Sequence, residues 1–237
     1  MKILVVIPSK ERPSNIRKYI IPFISRLNLD YRIFVEPQDE QYYDFKHVIT
    51  IPENNKGLGY SLVFAKKYAL KHGYDLIFKV DDDVKAIGTI ENDIDRILKA
   101  FKLPNIAAVC FPYSFEFYAK TDKLFTRINK RVQTSYIIRT DVFNPDESIS
   151  TFEDFYQFLN IINKGLNTIY CSKHLIDCGA VGKGKGGLQS FDRSEMAQIE
   201  INKFKAIDPT ITTVSKPEKA WKHEPKFTGK KYKSRAI

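Results

Sequence analysis

The sequence predicts an α/β protein: a mainly parallel, doubly wound central sheet with helices on both faces, joined to a smaller mixed or antiparallel half. Two observations carry this. Through the first 111 residues, short runs rich in Val, Ile and Phe alternate with segments of helical apolar spacing, in the order β-α-β-α-β-α-β-α-β. Beyond Tyr113 that alternation gives way to closely spaced strand-like runs. Length sets the scale, since 237 residues with 43% hydrophobic content suffice for one sizeable core. Residues 1–212 are therefore expected to form a single domain with halves 1–111 and 112–212, and 213–237 a basic tail.

Residues 3–7 read as the first buried strand, and Pro8, Ser9, Lys10 and Arg12 follow at its carboxyl end, where open α/β sheets collect ligands. A helix comes next, with Ser14 as N-cap, Ile16, Ile20, Phe23, Ile24 and Leu27 at helical spacing, and a kink expected at Pro22. The second strand, 31–35, closes on Glu36, which suits hydrogen bonding to a ribose or base or, equally, a solvated strand end. A short third strand, 47–51, leads to the loop NNKGLG. There Gly57 and Gly59 either make a turn or let backbone N–H groups approach a phosphate or sugar. The helix that follows stops at Gly73.

Next comes YDLIFKVDDDV at 74–84. Leu76, Ile77, Phe78 and Val80 have the near-continuous apolar content of a parallel strand covered on both faces, with Lys79 out of character. Asp81, Asp82 and Asp83 sit at its end. Clustered carboxylates repel unless a cation or protons compensate, and a hard divalent cation is the natural compensator. Side-chain alternation would turn Asp81 and Asp83 to one metal and Asp82 away. A solvated acidic turn is the competing reading.

A helix through Ile90, Ile94, Leu98 and Phe101 precedes a strand at 106–111, and 124–128 with 132–138 read as an antiparallel pair about Asn129 and Lys130. Ser150 and Glu153 fit a capping box for a helix carrying Phe155, Phe158, Leu159 and Ile162, with Asp154 in its first turn. A strand at 168–171 is followed by His174 and Asp177. GAVGKGKGGLQS then supplies Lys183 and Lys185 in a glycine-rich loop, before a helix at 192–206.

The formal charge of +10 suggests a polyanionic partner, and 213–237 holds eight Lys or Arg against two Glu. Trp221, Lys222, Phe227 and Tyr232 interleave aromatic and basic groups there, as a backbone track with stacking positions would. Three cysteines without CxxC spacing, one of them inside AAVCF, predict reduced thiols. The opening KILVVI is too short for a signal-peptide apolar region and no stretch approaches a membrane span, so a cytoplasmic protein is expected.

With VDDDV at a strand end and the acidic pair later, the chain resembles the GT-A glycosyltransferases. VVIPSKERP, FVEP, GLGYS, VDDDV and FED also occur in the order seen in the TET-associated glycosyltransferases, encoded largely by bacteriophages and inferred to glycosylate modified pyrimidines in DNA. This resemblance covers roughly residues 1–190. One departure lies in the helix after the glycine loop, where the family pattern carries Arg-Asn and this chain has SLVFA at 61–65.

The resemblance implies a GT-A fold, a nucleotide-sugar donor such as a UDP-sugar, and Mn2+ or Mg2+ held by Asp83, by Asp81 and by a late His. His174 is the candidate for that His and His223 its rival. It implies donor contacts from Pro8, Ser9, Lys10, Arg12, Glu36, Gly57, Gly59, Asp81 and Asp82. Asp154, beside Glu153, becomes the carboxylate that deprotonates the acceptor hydroxyl with inversion. DNA would be the acceptor, contacted by Lys183, Lys185, Trp221 and Lys222, in the host cytoplasm if the chain is phage-encoded. A GT-A enzyme acting on a glycan, protein or small molecule is the alternative. A sugar nucleotidyltransferase is disfavoured, because its glycine-rich signature after the first strand is absent. A noncatalytic nucleic-acid binder is disfavoured because DDD repels phosphate.

Overall fold

The computed structural model describes residues 1–113, 123–178, 192–219 and 221–236. Strand β1 (Ile3–Ser9) runs into a helix that starts as α1 (Pro13–Asn15), widens to a π-turn over Ile16–Ile20 and resumes as α2 (Ile21–Leu27). A π-turn thus lies just before Pro22, the residue where a kink is expected and which lacks an N–H to donate. Ser14 does not cap this helix; Arg12 occupies that position and provides no side-chain cap. Next come β2 (Asp30–Val35), β3 (Val48–Thr50), α3 (Gly57–Lys71), β4 (Leu76–Lys79) and β5 (Val84–Ile87). The second half holds α4 (Ile94–Lys99), β6 (Ile106–Cys110), β7 (Phe125–Ile128), β8 (Tyr136–Arg139), α5 (Glu153–Asn163), β9 (Asn167–Cys171) and β10 (Ile176–Cys178). It closes with α6 (Arg193–Ile207), β11 (Ile211–Ser215), β12 (His223–Phe227) and β13 (Arg235–Ala236).

Nine strands form one sheet in the order β13-β7-β9-β6-β8-β4-β1-β2-β3. The stretch β4-β1-β2-β3 is parallel, and alternation along β1 shows why its sequence is apolar throughout. Leu4 and Val6 join the core on the face covered by α3, α5 and α6, while Val5 and Ile7 join the core on the other face with Ile16, Ile20, Phe23 and Ile97.

The second half departs from expectation. β7 and β8 do not pair with each other: β8 inserts antiparallel between β4 and β6, while β7 lies between β9 and β13. An added pair, β5 with β10, lies outside the main sheet. The boundary drawn before Thr213 falls inside β11, and β11 with β12 forms an antiparallel hairpin whose Phe227 packs on Phe155 and Phe158 of α5. The three cysteines are free thiols, as expected. Among the described residues no helix is long and apolar enough to cross a membrane.

Candidate active site

A cavity of about 450 Å3 opens at the carboxyl ends of β1 and β4, bounded by the first turns of α3 and α5 and by the β11–β12 connection. Its acidic wall is the run that ends β4. Asp82 is buried, but Asp82 and Asp83 lie in a turn closed by the Val84 N–H on the Asp81 carbonyl, so the side-chain alternation expected of an extended segment does not apply, and all three aspartates line the cavity. Asp82 is 6% exposed, its Oδ2 accepts from Ser9 Oγ at 2.9 Å, and its Oδ1 accepts from Arg12 Nη1 at 2.7 Å. It therefore ties the end of β1 to the end of β4. Tyr43 braces the same turn: its hydroxyl accepts from the Arg12 backbone N–H at 3.0 Å and meets Ser9 Oγ at 2.8 Å. Burial pushes the Tyr43 hydroxyl up to about 12.

Lys79, which looked misplaced in an apolar strand, is the hinge of the site. It is 1% exposed, and its ammonium donates to Glu153 Oε1 at 2.7 Å and the Thr134 carbonyl at 2.8 Å, and lies 2.5 Å from Asp81 Oδ1. Burial pulls its pKa down, but Asp81 and Glu153 more than reverse this and hold it above the usual lysine value. Because β8 lies antiparallel beside β4, Tyr136 stands opposite Lys79, and its hydroxyl donates to the other Glu153 oxygen at 2.9 Å. Glu153 is thus fully engaged below the surface. Burial raises its pKa, against Lys79, with Asp154 adding to the rise.

Asp83 is the most open of the three aspartates, with its side chain 35% exposed and Arg12 Nη1 at 3.5 Å. Burial, then Asp81, then Asp82 push it up to about 6. Three carboxylates here share two cations, Lys79 and Arg12, and a divalent cation would relieve the remaining repulsion. Among the described residues no group of three or more His, Cys, Asp or Glu converges as a metal cage. Asp81 and Asp83 are the residues that would hold such a cation, with substrate and water oxygens filling the other positions, as Mg2+-type ions prefer. His174 does not belong to this set. It is buried away from the cavity with Nε2 3.1 Å from Asp93 Oδ2, in a cluster with Lys173, so the expected third ligand is a structural histidine. His223 pairs with Ser215 in the hairpin and does not line the cavity either.

Asp154 lines the cavity at the start of α5. Its Oδ1 accepts from the Phe155 N–H at 2.9 Å. Burial raises its pKa, opposed first by Arg131 and then by Lys79. The capping box expected at Ser150 and Glu153 is not formed, because Glu153 is engaged by Lys79. The helix start is instead closed from α6: Glu200 accepts the N–H groups of Ser150, Thr151 and Phe152 at 2.8, 2.9 and 2.8 Å. Ser150 Oγ meanwhile accepts the Gly59 N–H at 3.1 Å.

That bond reassigns Gly59, whose N–H is not offered to a ligand. A Cβ there would lie 2.2 Å from the Asp146 carbonyl, so this glycine exists for close packing. Gly57, at φ +85°, does line the cavity. Glu36 also lines it, yet both its oxygens serve the protein: Lys10 Nζ is 3.0 Å away, Gln38 Nε2 donates at 2.7 Å and the Asn55 N–H at 3.0 Å. Pro8, Ser9, Lys10 and Arg12 line the cavity, as does Trp221, whereas the exposed Lys222 does not. Lys183 and Lys185 lie outside the described residues.

Sequence reasoning missed Tyr136, Arg131, Arg193 and Glu200. Each acts on the site through sheet order or through an element distant in sequence, and none stands in a local motif. Arg131 stacks 3.7 Å from the Phe155 ring centroid beside Asp154, and its Nη1 is 3.6 Å from Glu224 Oε1.

No family model matches the chain, and no curated protein sequence matches it. Solved structures do. Glucosyl-3-phosphoglycerate synthase from Mycobacterium tuberculosis, in complex with Mn2+, uridine diphosphate and phosphoglyceric acid, superposes with a TM-score of 0.55 at 11% identity. The match covers 99% of this chain and 89% of that one. 4-Diphosphocytidyl-2C-methyl-D-erythritol synthase from Anaerococcus prevotii DSM 20548 gives 0.50 at 11% identity over 74% of this chain and 87% of that one. TarS from S. aureus gives 0.49 at 16% identity over 74% of this chain, which spans only 59% of that structure. At such identities the likeness shows the fold alone, a GT-A α/β fold.

Proposed function

We propose that this chain is a metal-dependent glycosyltransferase that moves a sugar from a nucleotide-sugar donor, a UDP-sugar, to a hydroxyl acceptor on hydroxymethylated pyrimidine in phage DNA. One observation carries the transferase reading. A single cavity in a GT-A fold holds both the aspartate run and the acidic helix start, joined by the buried Lys79 between Asp81 and Glu153. The cation, once bound at Asp81 and Asp83, supplies charge stabilisation for the departing diphosphate. Asp154 takes the proton of the acceptor hydroxyl while that oxygen forms its bond to the anomeric carbon and the bond from that carbon to the diphosphate breaks. One displacement inverts the anomeric centre. Lys79 and Tyr136 hold Glu153, and through it the start of α5, so that Asp154 keeps its place.

The DNA acceptor draws on the family resemblance and on the surplus of six positive charges in 213–237. Those lysines sit on and around a hairpin that borders the cavity through Lys219, Trp221 and Glu224, which supports a polyanion lying across its mouth. The work would be done in the cytoplasm, that of an infected host if the gene is viral. A small phosphorylated or glycan acceptor is the second reading. The mycobacterial synthase supports it, since that enzyme was captured with a phosphorylated hydroxy acid and matches 99% of this chain.

A thermal-shift screen of nucleotide sugars with and without Mn2+ tests the donor half directly. Ligand binding raises the midpoint with affinity and concentration. A UDP-sugar is expected to raise it with Mn2+ and to lose most of that effect in EDTA. No shift with any nucleotide sugar removes the transferase reading.

A further inference from the structure

The two ends of the cavity differ in how their charges are met. Arg12 and Lys79 are paired with aspartates, and Arg131 approaches Glu224. Arg193, the first residue of α6, makes no ion pair among the described residues although it is half-buried and lines the same cavity. Its guanidinium lies over the indole of Trp221, with Cζ 4.7 Å from the ring centroid. Arg193 Nε and Trp221 Nε1 are both buried without a hydrogen-bond partner. Both are donors only. Burial pulls the Arg193 pKa down, with Glu200 opposing. Lys219 brings a second cation to this ring, its Nζ 5.9 Å from the centroid, and it too lines the cavity. Trp221 in turn packs edge-on against Phe152, the residue before Glu153.

Among the described residues, a half-buried guanidinium in no ion pair, two donor-only N–H groups without acceptors and an exposed ammonium all call for the same complement, an anion rich in acceptor oxygens. Glu224, a carboxylate that lines the cavity on the same hairpin, is 3.6 Å from Arg131. We propose that Arg193, Lys219 and Trp221 form a subsite for a phosphate group carried by the acceptor, next to the hydroxyl that Asp154 receives. The word acceptor rests on the glycosyltransferase reading; the binding of phosphate does not. A phosphodiester of DNA and a phosphomonoester of a small acceptor present the same oxygens, so the test must separate them.

Trp221 is the only tryptophan in the chain, so its emission reports on this subsite without any assay of turnover. Inorganic phosphate, a phosphodiester dinucleotide and glycerol 3-phosphate are titrated against the full chain, the Arg193→Gln variant and the Lys219→Gln variant. The last alters an exposed side chain and leaves folding untouched. A saturable emission change is expected with each probe, weakened about tenfold by Arg193→Gln, as loss of a charge-assisted hydrogen bond gives, and about threefold by Lys219→Gln. Tighter binding of the dinucleotide than of glycerol 3-phosphate upholds the subsite with nucleic acid as its source. The reverse order upholds it with a small phosphorylated acceptor. No saturable change with any probe, or equal affinities in all three proteins, overturns the proposal. UDP with Mn2+ is titrated by calorimetry against the unaltered chain in parallel. UDP binding without a response to the three probes overturns the subsite and leaves the transferase standing, whereas a response without UDP binding upholds the subsite and counts against the transferase.

Discussion

The aspartate end of the cavity and its Trp221 end are built on opposite plans. At the first, charges are matched inside the protein: Asp82 by Arg12 and Ser9, Asp81 and Glu153 by Lys79, Glu36 by Lys10. At the second, Arg193 Nε and Trp221 Nε1 are buried donors with no acceptor among the described residues. The difference teaches that the aspartate end is held largely by the protein's own charges, with Asp83 the least compensated, while the far end in our proposal is left for a ligand to complete. Preorganised charge acts on the reaction without reorganising during it. Unmatched donors give recognition instead.

The largest effect that would sharpen this contrast is on turnover. Asp154→Asn is expected to lower kcat by roughly 10²- to 10⁴-fold, the range for loss of a general base, with donor affinity little changed. Steady-state kinetics with a saturating donor give the answer, and near-normal turnover would break the assignment. Next in size is stability. Lys79→Met leaves Glu153 and Asp81 without their shared cation, and breaking a buried pair by removing one partner costs about 3–5 kcal/mol. Denaturant titration should show this loss, and Lys79→Met with Glu153→Gln should recover part of it. A cost under about 1 kcal/mol would mean the linkage does not hold the site.

The smallest effect belongs to the anchor of the C-terminal segment. Asp208 accepts from Lys231 Nζ, 2.8 Å away, and from the Tyr232 hydroxyl, and these partners hold its carboxyl far below the usual range. A depressed carboxylate pKa gives stability that is complete above the unfolded value and is lost as pH falls towards the folded one. Protection of the β11–β12 hairpin against proteolysis should therefore decline below about pH 4, and Asp208→Asn should remove that pH dependence. A hairpin equally protected at pH 3 and pH 7 in the unaltered chain would contradict this.

What the sequence disclosed divides along the same line. β1 and β4, and the Ile33–Val35 end of β2, were legible because they are buried on both faces and spell this locally, and the aspartates follow β4 directly. Lys79 was visible as an anomaly, but its partner Glu153 lies 74 positions away and no local rule pairs them. Ser150 and Glu153 spelled a capping box by type and spacing, yet Glu200 took the Ser150 N–H that Glu153 would have satisfied, and Ser150 Oγ turned to the Gly59 N–H. The two strands about Asn129 and Lys130 looked like a hairpin because they are adjacent in sequence. Sheet order separated them, and that separation is what brings Tyr136 to Lys79. In β12, HEPKF has a proline at its centre and Phe227 as its one strand former, so Arg193 and Trp221 had no visible frame to meet in.

The central claim is tested most directly by incubating hydroxymethylated and unmodified DNA duplexes with a panel of UDP- and other nucleotide-sugars in Mn2+, then weighing the digested nucleosides. The account predicts a sugar mass increment on the hydroxymethylated base alone, abolished by EDTA and reduced at least about a hundredfold in rate by Asp154→Asn. Transfer to a small phosphorylated acceptor while hydroxymethylated DNA stays unmodified would contradict the DNA acceptor. Transfer that continues undiminished in EDTA, or in the Asp154→Asn variant, would contradict the mechanism itself.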